Sequence, residues 1–275
     1  IHDAASFAAD LGRLTEGFSD PRERRQAIVQ ALATARREAG AAIETAFDKT
    51  PRAARSAVRA RARLADATIS VAFLLATRSL HPLPNPTESE RLTVLAVGGY
   101  GRMELAPYSD IDLLFLTPWK ITPWAESVIE SMLYILWDLK LKVGHSSRTV
   151  KDCIRLGRED YTIRTALLEH RYLIGDEAAA LELRHRLRAD LFRNTGAEFI
   201  EAKLAERAER HKRQGGQRYV LEPNVKEGKG GLRDLQTLYW IGKYIHGVNE
   251  AADLVGEGVF RREEYENFAA AEDFL

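Results

Sequence analysis

The stretch Val97-Gly98-Gly99-Tyr100-Gly101-Arg102-Met103-Glu104-Leu105-Ala106-Pro107-Tyr108-Ser109-Asp110-Ile111-Asp112-Leu113-Leu114 decides the fold. The run before it, Leu92-Thr93-Val94-Leu95-Ala96-Val97, is short, apolar and β-branched, which reads as a buried strand. That strand stops abruptly at Gly98-Gly99-Tyr100-Gly101. A short turn or helical segment follows, and Ser109-Asp110 leads into a second strand-like run from Ile111 to Leu116, closed by Thr117-Pro118. Side chains alternate faces along a strand, so Asp110 and Asp112 point the same way and lie close together, with Ile111 buried between them.

Two adjacent carboxylates repel each other unless a cation sits between them. They are hard oxygen ligands of the kind that Mg²⁺ or Mn²⁺ takes together with substrate phosphates. Gly98 and Gly99 let the backbone approach a phosphate and offer N–H groups at a helix start. Arg102 and Ser109 are candidate further donors to a triphosphate. An acidic pair at this spacing is common by itself in a chain with 40 acidic residues. Its position at the head of an apolar strand, after a strand that ends in Gly-Gly, gives it weight, because unpaired charges next to Leu113-Leu114-Phe115-Leu116 would strain a core strand.

Outward from this unit, Pro123 to Leu139 has helical spacing, with Thr122 as the cap and Pro123 in the first turn. Leu141 to Thr149 reads as a third strand. From Asp152 onward the pattern is helical, with stretches at Tyr161–Tyr172, Asp176–Phe192, Ala197–Arg213, Leu232–His246 and Arg262–Leu275, and a loop at Gly215–Gly231. On the N-terminal side, Ser19-Asp20-Pro21 starts a helix that Gly40 interrupts and that resumes to Phe47; a second runs from Pro51 to Leu80. Three prolines in His81-Pro82-Leu83-Pro84-Asn85-Pro86 forbid helix and central strand and mark a boundary. The expected fold class is α+β: a small mixed β-sheet core flanked by N-terminal and C-terminal helical regions. The expected divisions are a helical region over 1–90, a catalytic domain over 91–175 and a helical region over 176–275 that closes over the substrate.

Composition removes several classes. Hydrophobic residues make up 45% and charged residues 29% of the 275, which suits a folded globular chain and not a disordered one. Forty basic residues balance forty acidic ones, so no global basic field argues for nucleic acid as a partner. The single cysteine, Cys153, excludes an intramolecular disulfide and a cysteine-rich zinc site, and reads as a small buried apolar residue. No apolar run reaches the roughly 18–20 residues of a membrane helix, and no basic-then-apolar leader opens the chain. The chain begins at Ile1 and ends at Leu275 inside a helical pattern, as a piece of something longer would.

Gly98-Gly99 followed by Ser109-Asp110-Ile111-Asp112-Leu113-Leu114 resembles the signature of the DNA polymerase β-type nucleotidyltransferase superfamily. The longer string Val97 to Leu105 with Pro107, then Leu141-Lys142-Val143-Gly144-His145-Ser146-Ser147-Arg148-Thr149, Leu221-Glu222-Pro223-Asn224-Val225-Lys226 and Gly230-Gly231-Leu232-Arg233-Asp234 are together similar to the bacterial PII uridylyltransferase/uridylyl-removing family. The likeness runs from about Leu92 to Leu275. It implies a cytoplasmic, multifunctional enzyme of nitrogen regulation. The transferase portion would move UMP from UTP to a tyrosine of the PII signal protein by a two-metal mechanism with Mg²⁺ or Mn²⁺, releasing pyrophosphate. Under that resemblance Asp110 and Asp112 are catalytic and metal-binding. Gly98, Gly99, Arg102, Ser109, Lys226, Lys229 and Arg233 would bind the nucleotide. The family's HD phosphohydrolase and glutamine-sensing ACT domains are not found in this chain; His2-Asp3 is read as chance. The readings that compete are an adenylyltransferase acting on another protein or a small molecule, and an NTP-binding regulatory module without catalysis.

The superfamily usually adds a third carboxylate on a later strand, and Val143-Gly144-His145-Ser146-Ser147-Arg148 carries none. Asp138, Glu222 or no third acid are the options. His145 is either a phosphate or acceptor contact or a packed strand histidine. Tyr239-Trp240 on a helix reads as core, and the basic run from Lys49 to Arg63 as a solvated helix face.

Overall fold

The computed structural model describes residues 3–214, 222, 224–248 and 250–274. Of the sequence expectations, His2, the loop residues 215–221, Pro223 and the terminal Leu275 lie outside the described residues. The described chain forms two units. The first takes in the chain up to Arg155 and returns for Glu169–Arg184; the second comprises Leu156–Leu168 and the chain from His185 onward.

The first unit opens with three helices, α1 (Ala4–Leu14), α2 (Pro21–Lys49) and α3 (Ala54–Leu75). Asp3 caps α1 by accepting from the amides of Ala5 and Ser6. Asp20 caps α2 through the amide of Arg22, with Pro21 at the first helical position. The expected break at Gly40 is absent, because α2 runs unbroken from Pro21 to Lys49. One glycine inside a helix costs only about 1 kcal/mol against alanine, which neighbouring alanines offset. A π-helical turn, Ala76–Leu80, ends α3. The proline loop that follows docks on a later helix: Trp124 Nε1 donates to His81 O at 2.9 Å, and His81 Nε2 lies 2.8 Å from Ser131 Oγ.

The sheet has the strand order β3-β2-β1-β4, with β1 Thr93–Ala96, β2 Ile111–Thr117, β3 Val143–Thr149 and β4 Arg171–Gly175. β1 pairs antiparallel with β2 and β4, while β2 and β3 are parallel. The one-turn helix α4 (Gly98–Gly101) joins β1 to β2, and α5 (Pro123–Asp138), capped by Thr122, crosses from β2 to β3. The sheet is therefore mixed, as the sequence predicts.

β4 was not predicted. The expected helical stretch Tyr161–Tyr172 ends at Leu168, and the chain turns extended at Arg171 to pair with β1. Val94, Ala96, Ile111, Leu113 and Phe115 of the sheet share one core with Leu11, Ile28, Leu32, Ile69 and Leu75 of the N-terminal helices and with Met132 and Leu136 of α5. Helices on both sides of the proline loop thus bury their apolar faces on the same sheet. The basic residues Lys49, Arg52, Arg55, Arg59 and Arg63 are exposed, in keeping with a solvated face. Cys153 is fully buried, and burial pushes its thiol up to about 12.

The other helices are α6 (Val150–Glu159), α7 (Tyr161–Leu168), α8 (Glu177–Arg186), α9 (Gly196–Arg213), α10 (Leu232–His246), α11 (Asp253–Gly256) and α12 (Arg262–Phe274). The second unit has its own aromatic core, in which Phe199 stacks on Tyr244 at 3.9 Å between ring centroids and Trp240 is buried beside them. Trp240 is a core residue, as its helical spacing predicts. Among the described residues no helix is long and apolar enough to cross a membrane.

Candidate active site

The antiparallel pairing of β1 with β2 sets Ala96 opposite Leu113, so the chain leaving β1 turns back over the start of β2. The amide of Val97 still donates to Asp112 O, at 3.1 Å. The next residue, Gly98, has φ +60°, in the left-handed region that side chains rarely enter. A β-carbon placed on Gly98 would stand 3.3 Å from Asp112 Oδ2. The glycine turn therefore lies directly against the Asp112 carboxylate.

Asp112 is half-buried and Asp110 is exposed just ahead of the strand. Burial, and then the charge of Asp110, push the Asp112 carboxyl above its ordinary range. Two carboxylates in mutual repulsion beside an open backbone turn suit a divalent cation shared with substrate phosphates, since Mg²⁺ takes one or two protein carboxylates and fills its other positions from substrate and water. Among the described residues no third His, Cys, Asp or Glu completes a metal-binding group. Asp138 ends α5 and pairs with Arg25 at 3.2 Å. Glu222 is exposed in the second unit.

Gly144 was not singled out from the sequence. It stands opposite Asp112 in the parallel ladder, and a β-carbon there would meet Asp112 Oδ1 at 2.5 Å. The Asp112 carboxylate thus fits between two glycines on different elements. The available signal was a glycine inside a strand-like run, which often marks close approach by another group. His145 pairs with Leu113 and so projects to the sheet face opposite Asp112. Its exposed ring meets Phe115 and Trp137 edge-on, at 6.5 and 6.3 Å.

Arg102 lies at the turn, but its guanidinium is engaged from below. Nε donates to Glu104 at 2.9 Å and Nη1 to the fully buried Glu169 at 3.1 Å. Burial opposes its charge, and the two carboxylates more than offset this, so Arg102 stays firmly protonated. Ser109 is exposed next to Asp110, in a turn closed by its amide on Ala106 O at 3.1 Å.

Lys226, Lys229 and Arg233 belong to the second unit. Asn224 Oδ1 accepts from the amides of Lys226 and Glu227, and the amide of Arg233 returns to Lys226 O at 2.9 Å. Gly231 is required there, because a β-carbon would sit 2.4 Å from Val225 O. Arg233 bonds Gln236 Oε1 at 3.0 Å and faces the Trp240 ring, while Lys226 and Lys229 are exposed.

Comparisons with known proteins point to one family. A family model described as GlnD PII-uridylyltransferase matches residues 198–275. Three curated relatives carry the description bifunctional uridylyltransferase/uridylyl-removing enzyme. One from Cereibacter sphaeroides is 64% identical over 94% of this chain and 28% of its own length. Those from Ruegeria pomeroyi and Erythrobacter litoralis are 58% and 48% identical over the whole chain, and over 29% and 30% of their own lengths. The class that these relatives define is that of the uridylyltransferases. The chain belongs to the bifunctional uridylyltransferase/uridylyl-removing family, and it spans under a third of the length of the relatives it matches.

Proposed function

We propose that this chain carries the nucleotidyl-transfer site of its family and moves UMP from UTP to a tyrosine of a PII-type signal protein, releasing pyrophosphate. The observation that carries the reading is the Asp110–Asp112 pair set against the Gly98 turn. The acceptor tyrosine would give up its phenolic proton to water, its oxygen would attack the α-phosphorus, the bond from that phosphorus to the bridging oxygen would break, and pyrophosphate would leave with the electron pair.

The protein's part is to bind and orient. Gly98, Gly99 and Tyr100 open a helical turn, so their amides have no intrahelical acceptor and are available to phosphate oxygens. Ser109 adds an exposed hydroxyl beside Asp110. Asp110 and Asp112 would hold Mg²⁺ or Mn²⁺ in a two-metal arrangement shared with the triphosphate; bound there, the cations would polarise the α-phosphoryl group and lower the pKa of the acceptor hydroxyl from about 10. Lys226, Lys229 and Arg233 of the second unit are proposed as further cations for a triphosphate. Arg102 would support the turn from beneath.

The test is transfer of labelled nucleotide to purified PII protein with Mg²⁺, comparing UTP, ATP, CTP and GTP. Transfer from UTP alone bears out the base, the acceptor and the reaction together. Transfer from ATP alone would favour an adenylyltransferase. Binding of no nucleotide at all would sink the glycine–aspartate site.

A further inference from the structure

The glycine turn is held to the rest of the first unit by a partly buried polar cluster whose side chains the proposed reaction does not use. Asp66 of α3, Tyr100 of the turn and Arg171 of β4 are its members. Tyr100 is almost fully buried and its Oη donates to Asp66 Oδ1 at 2.6 Å. Arg171 grips the same carboxylate with both prongs, Nη1 to Oδ2 at 2.9 Å and Nη2 to Oδ1 at 3.0 Å. Arg171 also donates to the backbone of the turn itself, from Nε to Gly101 O at 3.2 Å and from Nη2 to Tyr100 O at 3.3 Å. One guanidinium thus ties a helix carboxylate to two consecutive carbonyls of the turn.

The same end of β4 closes the turn from a second direction. A β-carbon on Gly101 would fall 2.0 Å from Glu169 O, so the turn lies flat against the chain entering β4. Glu169, fully buried, takes Arg102 at 3.1 Å. The turn is therefore fixed through contacts made by residues 169 and 171 and by Asp66.

We propose that Asp66, Tyr100 and Arg171 are positioning residues for nucleotide binding: they set where the Gly98–Gly101 backbone stands relative to Asp112. This rests on the reading of the Asp110–Asp112 site given above. A five-donor planar guanidinium bonding a carboxylate and two carbonyls at once fixes distance and orientation together, which a lysine in the same place does not. A turn already in place has no ordering cost when the triphosphate arrives; a loosened one does, and the loss appears in affinity.

The experiment uses the protein at full natural length and reads UTP affinity in Mg²⁺, KM against kcat for transfer, thermal stability and amide exchange at Gly98–Gly101. Arg171→Met and Asp66→Asn are expected to raise the UTP Kd and KM about tenfold, with kcat changed far less and turn amides exchanging faster. Arg171→Lys recovers part of the affinity by restoring the charge. Tyr100→Phe keeps the ring in the core and loses one hydrogen bond, with an expected rise of about threefold; it carries the test if the other variants do not fold. A purely structural cluster would lower the melting temperature and leave the Kd of the folded protein at its wild-type value, and that result overturns the proposal. Asp112→Asn serves as the control. If it transfers UMP like the wild type, the underlying site reading is at fault. If it is dead while the cluster variants keep wild-type Kd and KM, only the positioning role fails. Absence of UTP binding by the wild type overturns both.

Discussion

Gly144 faces Asp112 across the parallel β2–β3 ladder, and the space that its missing side chain leaves is filled by the Asp112 carboxylate. Gly144→Ala puts a methyl group 2.5 Å from Oδ1. The atom it meets is the end of a rotatable side chain, so the strand survives and the carboxylate turns away. The expected outcome is a fall in transfer of about tenfold to hundredfold, since a displacement near 1 Å at reacting groups costs on that order. The melting temperature should hardly move, because alanine is no worse than glycine in a strand. Activity assay and calorimetry on one preparation check it; loss of fold in step with activity would contradict it.

Asp112 also carries a stability signature. Burial and Asp110 raise its carboxyl above the ordinary 3.8, so the folded protein binds a proton more tightly there than the unfolded chain does. Stability then falls as pH rises from that value through the raised folded one, and the loss persists at neutral pH. Asp112→Asn removes the charge. Without divalent cations the variant is expected to be more stable than the wild type at pH 7, with the gap closing below about pH 3.8. Mg²⁺ with UTP should raise the melting temperature of the wild type and leave the variant unmoved. A wild type more stable than the variant at pH 7 in EDTA would contradict this account.

The difference between what the sequence reveals and what it hides is one of range. β1, β2 and α5 are legible because their apolar runs and caps are local signals, and Asp110 and Asp112 are legible because one precedes and the other interrupts such a run. β4 is not. Arg171-Tyr172-Leu173-Ile174-Gly175 is short, begins with a charge and continues the helical spacing of Leu167 and Leu168, so only its pairing with β1 makes it a strand. Residues whose function depends on that strand are hidden with it. Arg171 meets an aspartate 105 positions earlier, and no spacing rule spans that distance. Gly144 carried a weak signal, a glycine in a strand, whose meaning depended on the register with β2.

Gly40 shows the opposite error, a local signal that the fold overrides. It lies within α2, and a β-carbon there meets nothing within 4 Å. Gly40→Ala is expected to stabilise the first unit by about 0.5–1 kcal/mol, because alanine loses less chain entropy in a helix. Thermal unfolding followed by circular dichroism checks this, with UTP transfer unchanged. A destabilised variant would mean that α2 is broken at this point in solution.

Asp234 is expected to hold the second unit as Asp112 is expected to serve the first. Its carboxylate, 10% exposed, accepts from the Gly230 amide at 2.9 Å and from Arg207, Arg210 and His211 of α9. Burial opposes its charge, yet the Gly230 amide and the arginines outweigh this and hold the carboxyl below 3.8. Removing it leaves the guanidiniums of Arg207 and Arg210 without the carboxylate they share. Asp234→Ala is therefore expected to cost about 3 kcal/mol, the order found when one partner of a buried charged pair is deleted. A carboxyl held low contributes its stability above 3.8 and loses it as pH falls through the depressed value. The wild-type advantage should thus be full at pH 6 and shrink towards pH 3. Amide exchange in α9 and α10 for both proteins across that range is the measurement, and an advantage that stayed constant with pH would show that packing, and not the charge of Asp234, joins the two helices.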